Sequence, residues 1–168
     1  MEERWTSTRL LDWLHRLGIP THTVEHPPVY TVDQAREHRL GMEGGFSKNL
    51  FVRNKKGRMW LLVLEESRAV DLRALAVRLE AGRFSFGSPA RLARWLGVEP
   101  GSVTPFGLVN DPGGEVTAVV DQGLLALGTL HFHPLVNTQT TAIAAEDLLR
   151  FLEASGHPPR VVDLDRGP

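Results

Sequence analysis

The sequence predicts a mixed α/β fold, and three observations carry that expectation. Strand-like and helix-like segments are interspersed along the chain, without the regular βα repeat of a doubly wound sheet. Sixteen glycines and eleven prolines mostly separate those segments, so they act as punctuation rather than as a low-complexity tract. No internal repeat or linker divides the 168 residues, a length that suits one domain with a full core; residues 1–168 are expected to form a single domain.

The first helix is expected from about Ser7 to Leu17, because Leu10, Leu11, Trp13, Leu14 and Leu17 make one apolar stripe before Gly18 and Pro20 stop it. Thr21 to Glu25 reads as a short strand ended by Pro27 and Pro28. Thr31-Val-Asp-Gln34 is a capping-box pattern, which predicts a second helix from about Val32 to Arg39. Gly41, Gly44 and Gly45 then mark a flexible loop. Lys48–Asn54 and Met59–Glu65 are strand-like, joined by the hairpin tip Lys55-Lys56-Gly57. Asp71 caps a helix expected through Leu79, and Ser88-Pro89 opens another that Gly97 stops. Strands are expected at Phe106–Val109, Glu115–Asp121, Leu130–His133 and Thr140–Ile143, then a helix from about Ala145 to Ser155 and an edge strand at Arg160–Leu164.

Composition removes several function classes. Without cysteine there is no disulfide, thiolate zinc site or cysteine nucleophile. No apolar run approaches ~20 residues, so no membrane partner is expected. The start Met1-Glu-Glu-Arg-Trp lacks the basic and apolar regions of a secretory signal, and a cytoplasmic location is expected. A net charge of −1 excludes gripping nucleic acid by bulk charge, so DNA is not an expected partner and any RNA contact must use a local patch.

Candidate chemistry is scattered. Lys48-Asn49 sits where the glycine-rich loop enters a strand, where a lysine can bind a phosphate or ribose as a point charge or simply be solvated. A P-loop reading fails there, because no glycine directly precedes Lys48 and a strand follows rather than a helix. Gly101-Ser-Val-Thr-Pro105 is either an ordinary turn or a loop that aims successive N–H groups at one oxygen. His131 and His133 share a strand face, but no third ligand has metal spacing, so no metal or other cofactor is expected. There is no Gly-x-Ser-x-Gly elbow for a serine hydrolase. Asp111, Glu115 and Asp121 read as solvated surface acids, and His26 as a packing residue in a turn. Arg53, Lys55 and Lys56 with Arg58 at the hairpin, and Arg36 with His38 and Arg39 on the second helix, are the modest candidates for phosphate contact.

Four segments nevertheless form a pattern: His26-Pro-Pro-Val-Tyr-Thr31, Ser47-Lys-Asn-Leu-Phe51, Gly101-Ser-Val-Thr-Pro-Phe106 and His133-Pro-Leu-Val-Asn-Thr138. In this order they resemble the freestanding prolyl-tRNA editing enzymes, the YbaK-like deacylases related to the editing insertion of bacterial prolyl-tRNA synthetases. The resemblance runs from about Leu10 to Asp163. It implies a single domain with a mixed, partly barrel-like sheet surrounded by helices. It also implies hydrolysis of a mischarged aminoacyl-tRNA, first of all alanine on the proline tRNA, without a metal. Lys48, Gly101 and His133 are then the implied catalytic residues. Phe46, Ser47, Asn49, Ser102, Val103, Thr104, Pro105, Pro134 and Leu135 are implied to bind substrate, in a compact apolar cavity. The tRNA acceptor end is the implied partner, with prolyl-tRNA synthetase a second candidate. The family pattern usually has histidine and threonine before the lysine, whereas Phe46 and Ser47 stand here. That departure supports one alternative, a non-catalytic tRNA- or nucleotide-binding module; a deacylase of the same family that prefers cysteine or serine is another.

Overall fold

Met59–Glu65 is so apolar that a strand there must be covered on both faces. In a computed structural model, which describes residues 3–28, 34, 39 and 42–165, it is. Met59, Leu61 and Val63 enter the larger of two apolar clusters, while Trp60, Leu62 and Leu64 enter the smaller one on the opposite face. In chain order the elements are α1 (Ser7–Arg16), β1 (Thr21–Glu25), β2 (Gly45–Arg53), β3 (Met59–Glu65), α2 (Leu72–Arg78), β4 (Ser85–Phe86) and α3 (Pro89–Leu96). A 3-10 turn (Pro100–Ser102) and a 3-10 helix (Pro105–Asn110) follow, then β5 (Val116–Asp121), α4 (Gln122–Leu125), β6 (Thr129–Phe132), β7 (Gln139–Ala144), α5 (Ala145–Ala154) and β8 (Arg160–Val162). Apart from Gln34 and Arg39, the expected helix at 32–39, and with it Arg36 and His38, lies outside the described residues.

The strands form one eight-stranded mixed sheet in the order β1-β7-β6-β2-β3-β5-β8, with β4 paired to β2. Pairs β2–β6, β3–β5 and β5–β8 are parallel, and the others are antiparallel. The ladder runs from β1 to β8 among the described residues, an open counterpart of the partly barrel-like sheet expected. The larger cluster takes side chains from α1, α3, the 3-10 helix and α5; the smaller takes Leu75, Ala76 and Leu79 from α2 and its C-cap. No helix of the described residues is long and apolar enough to cross a membrane.

Helix ends follow their local chemistry. Thr6 Oγ1 accepts from the Arg9 amide at 3.1 Å, Asp71 from the Arg73 and Ala74 amides, and Ser88 from the Arg91 amide, so each satisfies donors that the first helical turn leaves open. Gly97 ends α3 at φ 66°, where a side chain would be strained.

Three expectations are corrected. Phe106–Val109 is not a strand but part of the 3-10 helix, which Thr104 caps and Pro105 opens. All of Pro105–Val109 is buried, and an apolar run buried on every side carries no periodicity to separate strand from helix. The expected glycine loop is shorter than read: β2 already begins at Gly45, which pairs with Leu130, while Gly44 is a bend just before it and Gly41 lies outside the described residues. A Cβ on Gly44 would lie 2.1 Å from the Thr129 carbonyl oxygen, and one on Gly45 2.7 Å from Leu127, so glycine is what lets β2 meet β6. The acids are not all solvated. Asp111 is 2% exposed and Asp121 0%, each bonded to two backbone amides; Asp111 also pairs with the buried His157 at 2.8 Å. Only Glu115 of the three is exposed. The short elements β4 and α4 had no sequence signal strong enough to predict them.

Candidate active site

The cleft that gathers the motif residues opens where two strands part. β2 and β6 pair only at Gly45–Leu130 and Phe46–His131. Beyond that point Ser47 and Asn49 continue along one wall while Phe132 and His133 form the other. Thr140 of β7, His26 after β1, and Arg39 and Met42 before β2 complete a cavity of about 80 Å³. Met42, Phe46 and Phe132 supply apolar surface, and histidine, hydroxyl, amide and guanidinium groups lie beside it.

His133 is held in one orientation and one tautomer. Its Nδ1 lies 2.8 Å from the Gln139 carbonyl oxygen, which can only accept, so Nδ1 carries the hydrogen and Nε2 is the ring's acceptor. Burial pushes its pKa below the usual histidine value; the Gln139 hydrogen bond opposes this, and the neighbouring His26 and Arg39 add to the lowering. His26, 6.1 Å away between ring centroids, donates from Nδ1 to the Pro27 carbonyl and meets the Thr140 hydroxyl through Nε2 at 2.7 Å. It lines the cleft rather than merely packing a turn.

Phe46, the unusual residue of its motif, sits in a stack. His131 lies against its ring at 4.6 Å and 12°, and the Arg39 guanidinium lies over it at 4.2 Å. Arg39 in turn pairs with Glu66. His131 is 9% exposed and hydrogen-bonds through Nε2 to the Glu43 carbonyl, so it is a wall of the cleft rather than an exposed neighbour of His133.

The remaining predicted residues fall in four places. Asn49 reaches from the cleft to the Gly101–Pro105 loop, donating to the Val103 carbonyl at 3.1 Å. Within that loop Ser102 and Thr104 are 4% and 0% exposed, and Pro105 is buried. Gly101 packs near Asn137, Val103 packs against the main core, and none of these five is among the cleft-lining residues described. The loop carries no positive φ, and its Ser102 amide already donates to the Glu99 carbonyl, so it is not an alternating nest of amides. Pro134 and Leu135 follow His133 into the protein; Leu135 is 8% exposed, belongs to the main core and adopts φ 73°, a strained value for a branched side chain. Lys48 leaves β2 on the other side, and its Nζ donates to the Arg68 carbonyl. Arg53, Lys55 and Lys56 lie at the far end of β2 and its hairpin, ~13 Å or more from Asn49 at ~3.3 Å per strand residue.

Residues 26–151, which hold all four motif segments, match the family model of the aminoacyl-tRNA editing domain. The chain belongs to that family. Prolyl-tRNA synthetase associated domain-containing protein 1 of Danio rerio is 38% identical over 93% of this chain and 86% of its own length. The editing-family protein named prolyl-tRNA editing protein ProX, from Acetoanaerobium sticklandii, is 33% identical over 90% of this chain and 93% of its own. The crystal structure of a candidate trans-editing enzyme for prolyl tRNA synthetase superposes with a TM-score of 0.72 at 23% identity, covering 98% of this chain and 100% of that one, and so shares the fold.

Sequence reasoning missed His26, His131, Met42, Phe132 and Thr140 as cleft residues. A signal existed for two of them. His26 precedes proline as His133 does, and His131 shares a strand face with His133.

Proposed function

We propose that this editing-domain protein is a trans-acting deacylase that hydrolyses alanine from proline tRNA. The observation that carries the reading is the cleft itself, with motif residues Ser47 and Asn49 facing His133 across about 80 Å³. Its walls leave space for a compact group rather than a long side chain. The names of the Danio and Acetoanaerobium relatives support a link to prolyl-tRNA and its synthetase. A synthetase pocket shaped for proline gains only ~1–3 kcal/mol per methylene against alanine, so a second, smaller site is the physical remedy.

In the proposed reaction a water oxygen bonds to the ester carbonyl carbon, the bond from that carbon to the ribose oxygen breaks, and a proton passes from water to the ribose. His133, neutral and with Nε2 as acceptor, takes the hydrogen bond of that water or of the neighbouring ribose hydroxyl. Backbone amides stabilise the developing oxyanion. The loop after His133 is the proposed source, through the Leu135 and Val136 amides, since Pro134 has no N–H to give. Gly101–Pro105, tied to Asn49 through Val103, buttresses the wall. Lys48 binds a phosphate or ribose oxygen of the acceptor end, and Arg39, Arg53, Lys55 and Lys56 add weaker contacts to tRNA.

A deacylation assay across a panel of mischarged tRNAs tests the reading. Release from alanyl-tRNA of the proline type but not from prolyl-tRNA is expected. Release only of cysteine or serine would reassign the substrate, and binding without turnover would make the protein a module instead.

The pH dependence carries a sign. Catalysis needs neutral His133, and its lowered pKa keeps it neutral below the ordinary histidine value of about 6.5. The rate, corrected for spontaneous ester hydrolysis, should therefore stay level as pH falls through 6.5 and drop only at lower pH. A midpoint at or above 6.5 contradicts the assignment.

Size selection should centre on Phe46, since its ring bounds the cleft while the side chains of Val103 and Leu135 do not. Phe46→Ala is expected to raise turnover of esters larger than alanine, within the ~1–3 kcal/mol that a methylene or two supplies. An unchanged amino-acid preference would place the sieve elsewhere.

A further inference from the structure

We infer that Arg68 is the positioning residue for Lys48, acting through a turn that the buried carboxylate of Asp121 locks in place. The inference rests on the reading of Lys48 as the residue that grips the acceptor end. Lys48 Nζ donates to the Arg68 backbone carbonyl, so the direction of the ammonium depends on where the Glu65–Arg68 turn holds that oxygen. A carbonyl fixes one of the three N–H bonds without neutralising the charge, and two donors with the full positive charge remain for a ligand oxygen.

The turn is secured more heavily than a surface turn requires. Asp121, 0% exposed, accepts from the Glu65 amide at 2.9 Å and from the Gly123 amide at 2.8 Å. The Arg68 guanidinium lies 3.6 Å from the same Asp121 carboxylate and forks onto Asp165 at 2.6 and 3.4 Å. An unpaired carboxylate at that depth is costly, and Arg68 is the cation placed to compensate it. The Glu65 carboxylate accepts from the Ser67 amide and hydroxyl, and the Arg68 amide donates to the Glu65 carbonyl at 3.2 Å. Space at the contact is tight: a Cβ on Gly123 would lie 3.2 Å from the Arg68 guanidinium. The same turn also faces the cleft, because the Glu66 amide donates to the Phe46 carbonyl and the Glu66 carboxylate holds Arg39 over the Phe46 ring. Asp121 and Glu65 are 56 residues apart, so this linkage exists only in the folded chain.

A double-mutant cycle on full-length protein separates positioning from general support. The readout is kcat/KM for deacylation of alanyl-tRNA of the proline type, with thermal unfolding measured for every variant. Arg68→Ala is expected to cost about tenfold, the scale of one charge-assisted contact, and to cost less than about twofold once Lys48→Ala is present. Arg68→Lys, which keeps a cation beside Asp121, should restore most of the loss in the Lys48 background only. Asp165→Ala, which frees the outer fork at an exposed carboxylate, should give a smaller loss with the same dependence on Lys48 and keeps the test available if Arg68→Ala does not fold. Equal losses with and without Lys48 would reduce Arg68 to a structural role and overturn the inference. So would wild-type kcat/KM for both Arg68→Ala and Asp165→Ala while Lys48→Ala is impaired. Wild-type turnover by Lys48→Ala itself removes the lysine's role first, and this inference with it.

Discussion

Replacing His133 with alanine is expected to lower deacylation by about 10²- to 10⁴-fold, the usual contribution of a positioned acid–base group. The expectation rests on three linked features: Nδ1 fixed on the Gln139 carbonyl, Nε2 left as acceptor, and burial that holds the ring neutral. The loss should appear in single-turnover deacylation of alanyl-tRNA, with thermal unfolding measured alongside to show that the variant is folded. The pH limb assigned to this group should vanish with it. A folded variant with wild-type turnover and an unaltered pH profile would leave His133 as no more than a wall of the cleft.

Replacing Lys48 with alanine is expected to cost at least about tenfold, since one charge-assisted hydrogen bond to substrate contributes roughly 1.5–3 kcal/mol. The structure adds a condition to this expectation. Lys48 does not line the cleft among the described residues but leaves β2 toward the Arg68 carbonyl. On the proposed reading its target is then a part of the tRNA that passes outside the cleft, not the amino acid within it. The deficit should then be similar for alanine and for bulkier esters carried on the same tRNA, and should shrink as salt rises. A deficit that differs strongly between amino acids would put the ammonium inside the cleft after all.

Local chemistry in the sequence was a good guide wherever the cause of a structure lies within a few residues. Asp71 and Ser88-Pro89 announced their helices because a cap needs only the next three amides. Met59–Glu65 announced a strand because six consecutive buried positions need cover on both sides. The four motif segments announced the family because each keeps its own short pattern, and residues 26–151 match the editing-domain model.

The same reasoning lost its grip where a side chain's surroundings are supplied from far away. Asp121 read as a surface acid because its compensating partners are Arg68 and the Glu65 amide, at the end of another strand. His26 read as packing because the hydroxyl it meets, Thr140, is 114 residues distant. Gly45 read as part of a flexible loop because the Leu127 and Leu130 side chains that crowd it lie about 80 residues further along the chain.

By itself, then, the sequence determined the order of most elements, the mixed character of the sheet and the editing family, all of which follow from local periodicity, capping and motif identity. Tertiary structure decided which way the motif side chains point. Adjacent strand residues face opposite ways, so Lys48 and Asn49 part, one toward the Arg68 carbonyl and the other into the cleft. That division depends on which strands flank β2, and strand pairing is a long-range choice that a one-residue slip would reverse.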